Sequence, residues 1–170
     1  VAKKHDLLVL EDTCQGIGGG YEGRMLGTIG HVGAYSFNYF KNIGAGEGGG
    51  VVTNDTAIDK RVACAIDPCH YYWTGRAEDF IPFASNGARA SEFLGAILNV
   101  QLDRLPKMMT IMRSEKKQIL SNTRHLHELG LKSTPMNSPD YECGTHVMYT
   151  MPKPEVAAKF IEVMPSVIAG

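Results

Sequence analysis

The sequence predicts an α/β fold, a mostly parallel sheet with helices on both faces, and three observations carry that expectation. Leu7 to Leu10 is a continuous apolar run, the pattern of a strand buried on both faces rather than one. Strand and helix patterns then alternate, with Val32 to Phe37 and Val51 to Thr53 followed by a helical stretch from Thr56 to about Ile66. From Ser91 to Leu129 apolar residues recur at helical spacing, among them Leu94, Leu98, Leu102, Leu105, Met109, Met112, Ile119 and Leu126.

The chain of 170 residues is long enough for one ordinary domain with a real core. Its 44% hydrophobic and 21% charged content is that of a globular protein. A net charge of −1 gives no electrostatic case for nucleic acid or an anionic membrane. No apolar run approaches the roughly 20 residues of a membrane span, and no signal-peptide pattern opens the chain. Cys14, Cys64, Cys69 and Cys143 lack framework spacing, which suits reduced thiols and a cytoplasmic location.

In chain order, Asp12 falls at the carboxyl end of the first strand, where open α/β sheets place ligand-binding groups. The alternative is that Asp12 or Thr13 caps a following helical turn. Glu11 is ambiguous on these grounds. Gly18, Gly20 and Gly23, and again Gly44, Gly46 and Gly49, satisfy G-x-G-x-x-G. A dinucleotide site needs that motif directly after a strand and opening a helix. The first instance leads into Tyr21 to Thr28, which reads as a short β-excursion, and the second into a strand, so neither reads as such a site. The strand from Val32 delivers Ser36 and then Lys41, beside the glycine-rich run Gly46 to Gly50. A lysine in a partly desolvated pocket can lose its proton and attack a carbonyl, which points to Schiff-base chemistry. Asn38 and Asn42 flank it and read as loop-holding amides. Thr56-x-x-Asp59 resembles a capping box with Asp in place of Glu.

These residues carry a resemblance. E-D-x-x-Q-x-x-G, then G-x-x-G, then S-F-x-x-x-K-N, then G-E-G-G resembles the DegT/DnrJ/EryC1/StrS family of pyridoxal-phosphate (PLP) sugar aminotransferases, of fold type I. The match is good from about Ala2 to Leu129 and looser beyond. It implies that Lys41 forms the Schiff base with PLP, that Asp12 pairs with the pyridinium nitrogen, that Gln15 lies near the phenolic oxygen, and that Ser36 contacts the phosphate. Family members are much longer, so the chain is expected to be an internal portion, without the earlier Gly-Thr segment and stacking aromatic. The implied division is 1–90 for the C-terminal part of the large PLP-binding domain, 91–130 for a long linking helix, and 131–170 for the beginning of a small α+β domain.

Asp67 to Asn86 mixes aromatic and polar groups without period and reads as a loop lining a site. Cys64, Cys69 and His70 fit no usual zinc spacing, and His125 and His127 point to different sides of a helix. His5, His31 and His146 are isolated and read as bland. The segment from Ser85 resembles the family's G-x-N-x-R-x-S/T-E stretch, with Ser85 in place of the glycine. There the resemblance implies that Asn86 reaches the PLP phosphate of a neighbouring subunit, and hence a homodimer with shared active sites. Pro106 is expected to kink or restart the long helix, the methionines near it to pack, and Gly130 to end it. A Pro/Ser/Asn connection over Ser133 to Asp140, a strand over His146 to Met151 and a helix over Pro154 to Met164 complete the pattern.

The expected activity is ping-pong transfer of an amino group from glutamate or glutamine to a keto sugar, nucleotide-linked. A family branch with histidine in the lysine position performs dehydration, and Lys41 argues against it. The alternatives are a non-catalytic regulator that binds PLP or a sugar nucleotide, and an NAD(P) enzyme weakened by its misplaced glycine motifs.

Overall fold

The computed structural model describes residues 1–69 and 81–163. A short 3-10 turn, Ala2–His5, precedes β1 (Leu10–Asp12), the hairpin β2 (Gly20–Tyr21) and β3 (Arg24–Met25), then β4 (Val32–Ser36) and β5 (Gly49–Thr53). Helix α1 (Thr56–Ile66) and the 31-residue α2 (Glu92–Asn122) follow. A 3-10 helix (Arg124–Leu129), β6 (Lys132–Ser133), β7 (Tyr149–Thr150) and α3 (Pro154–Val163) close the order. His70 and most of the irregular aromatic stretch lie outside the described residues, as does Met164.

The sheet that matters runs β1-β4-β5, with β1 parallel to β4 and β5 antiparallel to β4. Parallel pairing sets Leu10 opposite Val32, Glu11 opposite Gly33 and Asp12 opposite Ala34. Both strands therefore end at one edge. The connection between them contains the β2–β3 hairpin, as the β-excursion predicts, and Glu11 fastens its return. The Glu11 carboxylate accepts the N–H groups of Gly27 (2.7 Å), Ile29 (2.6 Å) and Gly30. Three donors that no strand or helix satisfies thus find one acceptor, and leaving them unpaired would cost about 1–3 kcal/mol each. Gly33 makes the arrangement possible, because a Cβ there would run into the Gly27 carbonyl oxygen. Tyr35 closes the other side, its hydroxyl donating to Leu26 O at 2.8 Å.

The first strand differs from expectation. It begins at Leu10 rather than Leu7, and Leu7, Leu8 and Leu10 are 54%, 73% and 65% exposed. Among the described residues β1 pairs only with β4, and no described layer covers its apolar run. The capping residue differs too. Asp55, not Thr56, caps α1, its carboxylate accepting from Ala57 N (2.8 Å) and Ile58 N (3.0 Å). Aspartate caps as well as threonine or better, and Thr53 Oγ1 accepts from Asp55 N and fixes the approach.

Helix α2, capped by Ser91, runs through Pro106 without restarting. Proline removes one ladder bond, but contacts on either side hold the helix in place. Gln101 Nε2 donates to Gly44 O at 3.2 Å, and Met109 is buried against Gly18. Gly18 has φ +83°, and a Cβ on it would also strike the Met109 side chain. The helical pattern ends at Asn122, where the last turns tighten into the 3-10 segment; Gly130, with φ 90°, stops it as expected. Beyond, the predicted strand over His146 to Met151 contracts to Tyr149–Thr150, paired antiparallel with Lys132–Ser133. The last helix starts at Pro154 as predicted.

Two stability predictions follow from these anchors. Partial burial pushes the Glu11 carboxyl up, but the N–H groups of Gly30, Gly27 and Ile29 and the Arg24 charge outweigh it and hold the group below its ordinary 4.5. The stabilisation is full above that ordinary value and is lost as pH falls through the lower folded-state value. Glu11→Ala is expected to cost about 2–3 kcal/mol at pH 7 by urea unfolding, with the gap to wild type narrowing at acid pH. Asp55→Ala should cost about 1 kcal/mol by the same measurement. An unchanged midpoint for Glu11→Ala would refute its role as the hairpin's lock.

Candidate active site

The site is built from the two turns that leave the common edge of β1 and β4. After Asp12 the chain folds over at once: Thr13 N donates to Ala34 O (2.9 Å), Gly16 N to Thr13 O (3.0 Å) and Gly19 N to Gly16 O (2.9 Å). Thr13 is buried under this turn. After Ser36 the glycine-rich loop returns on itself, with Phe37 N on Gly48 O, Ala45 N on Phe37 O and Tyr39 N on Gly46 O at 2.8–3.1 Å. Lys41 sits at the tip, its N–H on Asn38 O at 3.0 Å, and the fully buried Ile43 anchors the loop beneath it. Asn42 Nδ2 donates to Ile17 O at 3.3 Å and joins the two turns.

Between them lies a cleft of about 190 Å³, lined by Cys14, Gln15, Ile17, Phe40, Lys41, Asn42 and His146. That is smaller than the roughly 300–1,000 Å³ of most small-molecule pockets, as a partial wall of a larger site would be. Lys41 is half-buried there. The Cys14 thiol and the Cys14 N–H hold the Asp12 carboxyl below the usual carboxylate range, and the Lys41 charge adds to this. Asp12 in turn pushes the Cys14 thiol up, together with burial, which keeps it protonated and unreactive.

The fold brings together Asp12, Gln15 and Lys41, three of the residues singled out in the sequence. Ser36 ends β4 on the same edge, where its Oγ accepts from Asn38 N at 3.4 Å, but it is not part of the cleft wall. Asn86 stands apart and exposed. Its neighbours are ordered: Ser85 Oγ donates to Ala65 O at 2.7 Å, and Gly87 N donates to Ser85 Oγ at 3.2 Å with φ +71°. The serine that replaces the family's glycine thus holds the turn to the end of α1. Asn38 and Asn42 are loop-holding amides, as read from their positions.

Two features escaped the sequence. Glu11, ambiguous there, is the acceptor that shapes the hairpin beneath the site; its adjacency to Asp12 was the available signal. His146, read as bland, lies on the cleft wall, 105 positions after Lys41, with no local pattern to announce it. Cys64 packs against the Phe83 backbone, its thiol within 3.6 Å of Phe83 O. Among the described residues no three metal-ligating side chains come together.

Comparison with known proteins matches this geometry to one family. The model of the DegT/DnrJ/EryC1/StrS aminotransferase family matches residues 1–164. The chain is 32% identical over 129 residues to a pleiotropic regulatory protein of Geobacillus stearothermophilus, covering 75% of this chain and 32% of that one. It is 30% identical over 164 residues to an L-glutamine:2-deoxy-scyllo-inosose aminotransferase of Streptoalloteichus tenebrarius, covering 92% and 38%. An aminotransferase from Psychrobacter cryohalolentis superposes with TM-score 0.71 and 30% identity, over 81% of this chain and 37% of that one. The chain spans about a third of the length of the curated relatives it matches. The α/β architecture with its long helix is accordingly that of the fold type I transferases. The chain belongs to the DegT/DnrJ/EryC1/StrS aminotransferase family.

Proposed function

We propose that the protein is a PLP-dependent aminotransferase that moves an amino group from glutamate or glutamine to a nucleotide-linked keto sugar. The observation that carries this reading is the convergence of an ionised carboxylate, Asp12, and a half-buried amine, Lys41, on one edge of a parallel sheet. The donor set fits the cofactor. A carboxylate held below its usual range suits a positively charged ring nitrogen, and a primary amine in a cleft suits an aldehyde. Bound there, PLP supplies the electron sink for negative charge on a substrate carbon.

The residues of this chain then have distinct tasks. Asp12 keeps the ring nitrogen protonated, by favouring the charged form. Gln15, on the cleft wall, takes the phenolic side, and Ser36, at the end of β4, offers a hydroxyl to the phosphate. Lys41 Nζ would hold the aldehyde and, once displaced by the amino donor, would carry a proton from the donor's α-carbon to the cofactor's aldehyde carbon, and in the second half from there to the sugar carbon being aminated. Asn86 is exposed and does not line this cleft, which suits a role at the phosphate of a second subunit in a homodimer. A division at about residues 90 and 130 takes support from α2 and the 3-10 helix after it, which lie in the chain order between the sheet and the small β6–β7 pair. Four free cysteines suit a cytoplasmic protein. Lysine rather than histidine at position 41 favours transamination over dehydration.

A second reading, a regulator that binds PLP or a sugar nucleotide without turnover, takes support from the name of the Geobacillus relative. One experiment separates the two. The full chain is loaded with PLP, reduced with borohydride and mapped by mass. A phosphopyridoxyl adduct on Lys41, together with amino transfer that Lys41→Ala lowers by about 10²–10⁴-fold, is the expected result. A folded protein without the adduct would overturn the catalytic reading. Adduct without transfer to any keto sugar would favour the regulator.

A further inference from the structure

The cleft has a wall that the family reading leaves unassigned. His146 comes from the segment after Gly144, and the structure fastens that segment to the very turn that carries Gln15. Gly20 N donates to Tyr141 O at 2.6 Å, and the Cys143 thiol lies 3.9 Å from Gln15 O. From α2, Arg113 clamps both parts at once: its Nη2 donates to Gly18 O (3.0 Å) and Tyr141 O (3.1 Å), and its Nε to Glu142 O (2.6 Å). The Lys116–Glu142 ion pair, 2.6 Å long and largely shielded from water, reinforces the same junction. The imidazole itself is oriented, with Nδ1 2.7 Å from Thr145 Oγ1, which in turn lies 3.3 Å from Cys143 Sγ. A surface histidine with no task has no need of such a mounting.

The lining groups of the cleft narrow its task. Asn42 already donates to Ile17 O, and the Cys14 thiol faces Ala34 O at 3.8 Å. Lys41 and Gln15 are engaged with the cofactor in the reading above. Among the described residues, His146 is the remaining lining side chain that can present an N–H and carry positive charge. An amino donor brings a carboxylate on the carbon that must meet Lys41, and His146 lines the same cleft as Lys41.

We propose that His146 holds the α-carboxylate of the amino donor, with Thr145 positioning its ring. This rests on the aminotransferase reading. It makes the segment 141–146 part of the substrate site, and the Arg113 clamp the element that keeps it there.

The test uses the PLP-loaded full chain and glutarate, a dicarboxylate without the amine, titrated by calorimetry. His146→Ala is expected to weaken glutarate about tenfold, the worth of one hydrogen bond to a charged group, and to raise the KM for L-glutamate similarly with kcat within about threefold. His146→Gln, which keeps an N–H near the Nε2 position, should recover most of the loss. Thr145→Val should weaken glutarate a few-fold. All three variants should still give the borohydride-trapped adduct on Lys41. Unchanged glutarate affinity in His146→Ala overturns the proposal, and so does loss of the adduct in that variant, which would assign a merely structural role. Absence of the adduct in the wild type instead sinks the underlying reading, and this one with it.

Discussion

The parallel pairing of β1 with β4 is the constraint on which the site depends. Because both strands run the same way, Asp12 and Ser36 end at one edge, and both turns that follow must leave from it. An antiparallel pairing would put the carboxylate and the amine at opposite ends of the sheet. The parallel arrangement needs a long connection, and such a connection carries backbone groups that must be satisfied. Glu11 meets that need by accepting three N–H groups at its return. Asp12 and its neighbour thus divide the work: one carboxylate lies in the field of the Lys41 charge, and the other holds the loop that lets the strands pair.

The second constraint is that the cleft has walls from distant parts of the chain. Asn42 ties the lysine loop to the turn after Asp12, and Gln101 and Met109 press α2 on that assembly. Through Arg113 and Lys116 the same helix reaches the segment that bears His146. The helix is in this sense a strut, and its passage through Pro106 shows that tertiary contacts outweigh one lost ladder bond. The fixed core is small. Ile17, Ile43, Cys64, Met109 and Leu131 are its buried apolar members among the described residues, while Leu8, Phe40 and Phe93 are 73%, 77% and 84% exposed. Such exposed apolar surface is what further chain or a second subunit would cover.

Much of this was legible beforehand because local patterns have local causes. The second glycine run leads into a strand as its sequence indicates, since Gly49 opens β5. Ser36 and Lys41 follow a strand as expected, Gly130 ends the helical run, and the methionine near Pro106 is core. The errors were ones of range. Leu7 to Leu10 has the pattern of a strand buried on both faces, yet exposure depends on which layers are present, and pattern cannot count layers. Asp55 took the cap from Thr56 because one residue of register separates two good capping side chains, and Thr53 decided between them.

The sequence by itself determined the α/β class, the family, and the order of the candidate site residues, since strand alternation, helical period and spaced motifs are properties of neighbouring residues. Only the tertiary structure decided that Glu11 locks the hairpin, that Asn86 stands away from this chain's cleft, and that His146 stands on it. Those facts rest on contacts between residues 16 to 105 or more positions apart, set by strand pairing and helix packing, and no local period encodes them.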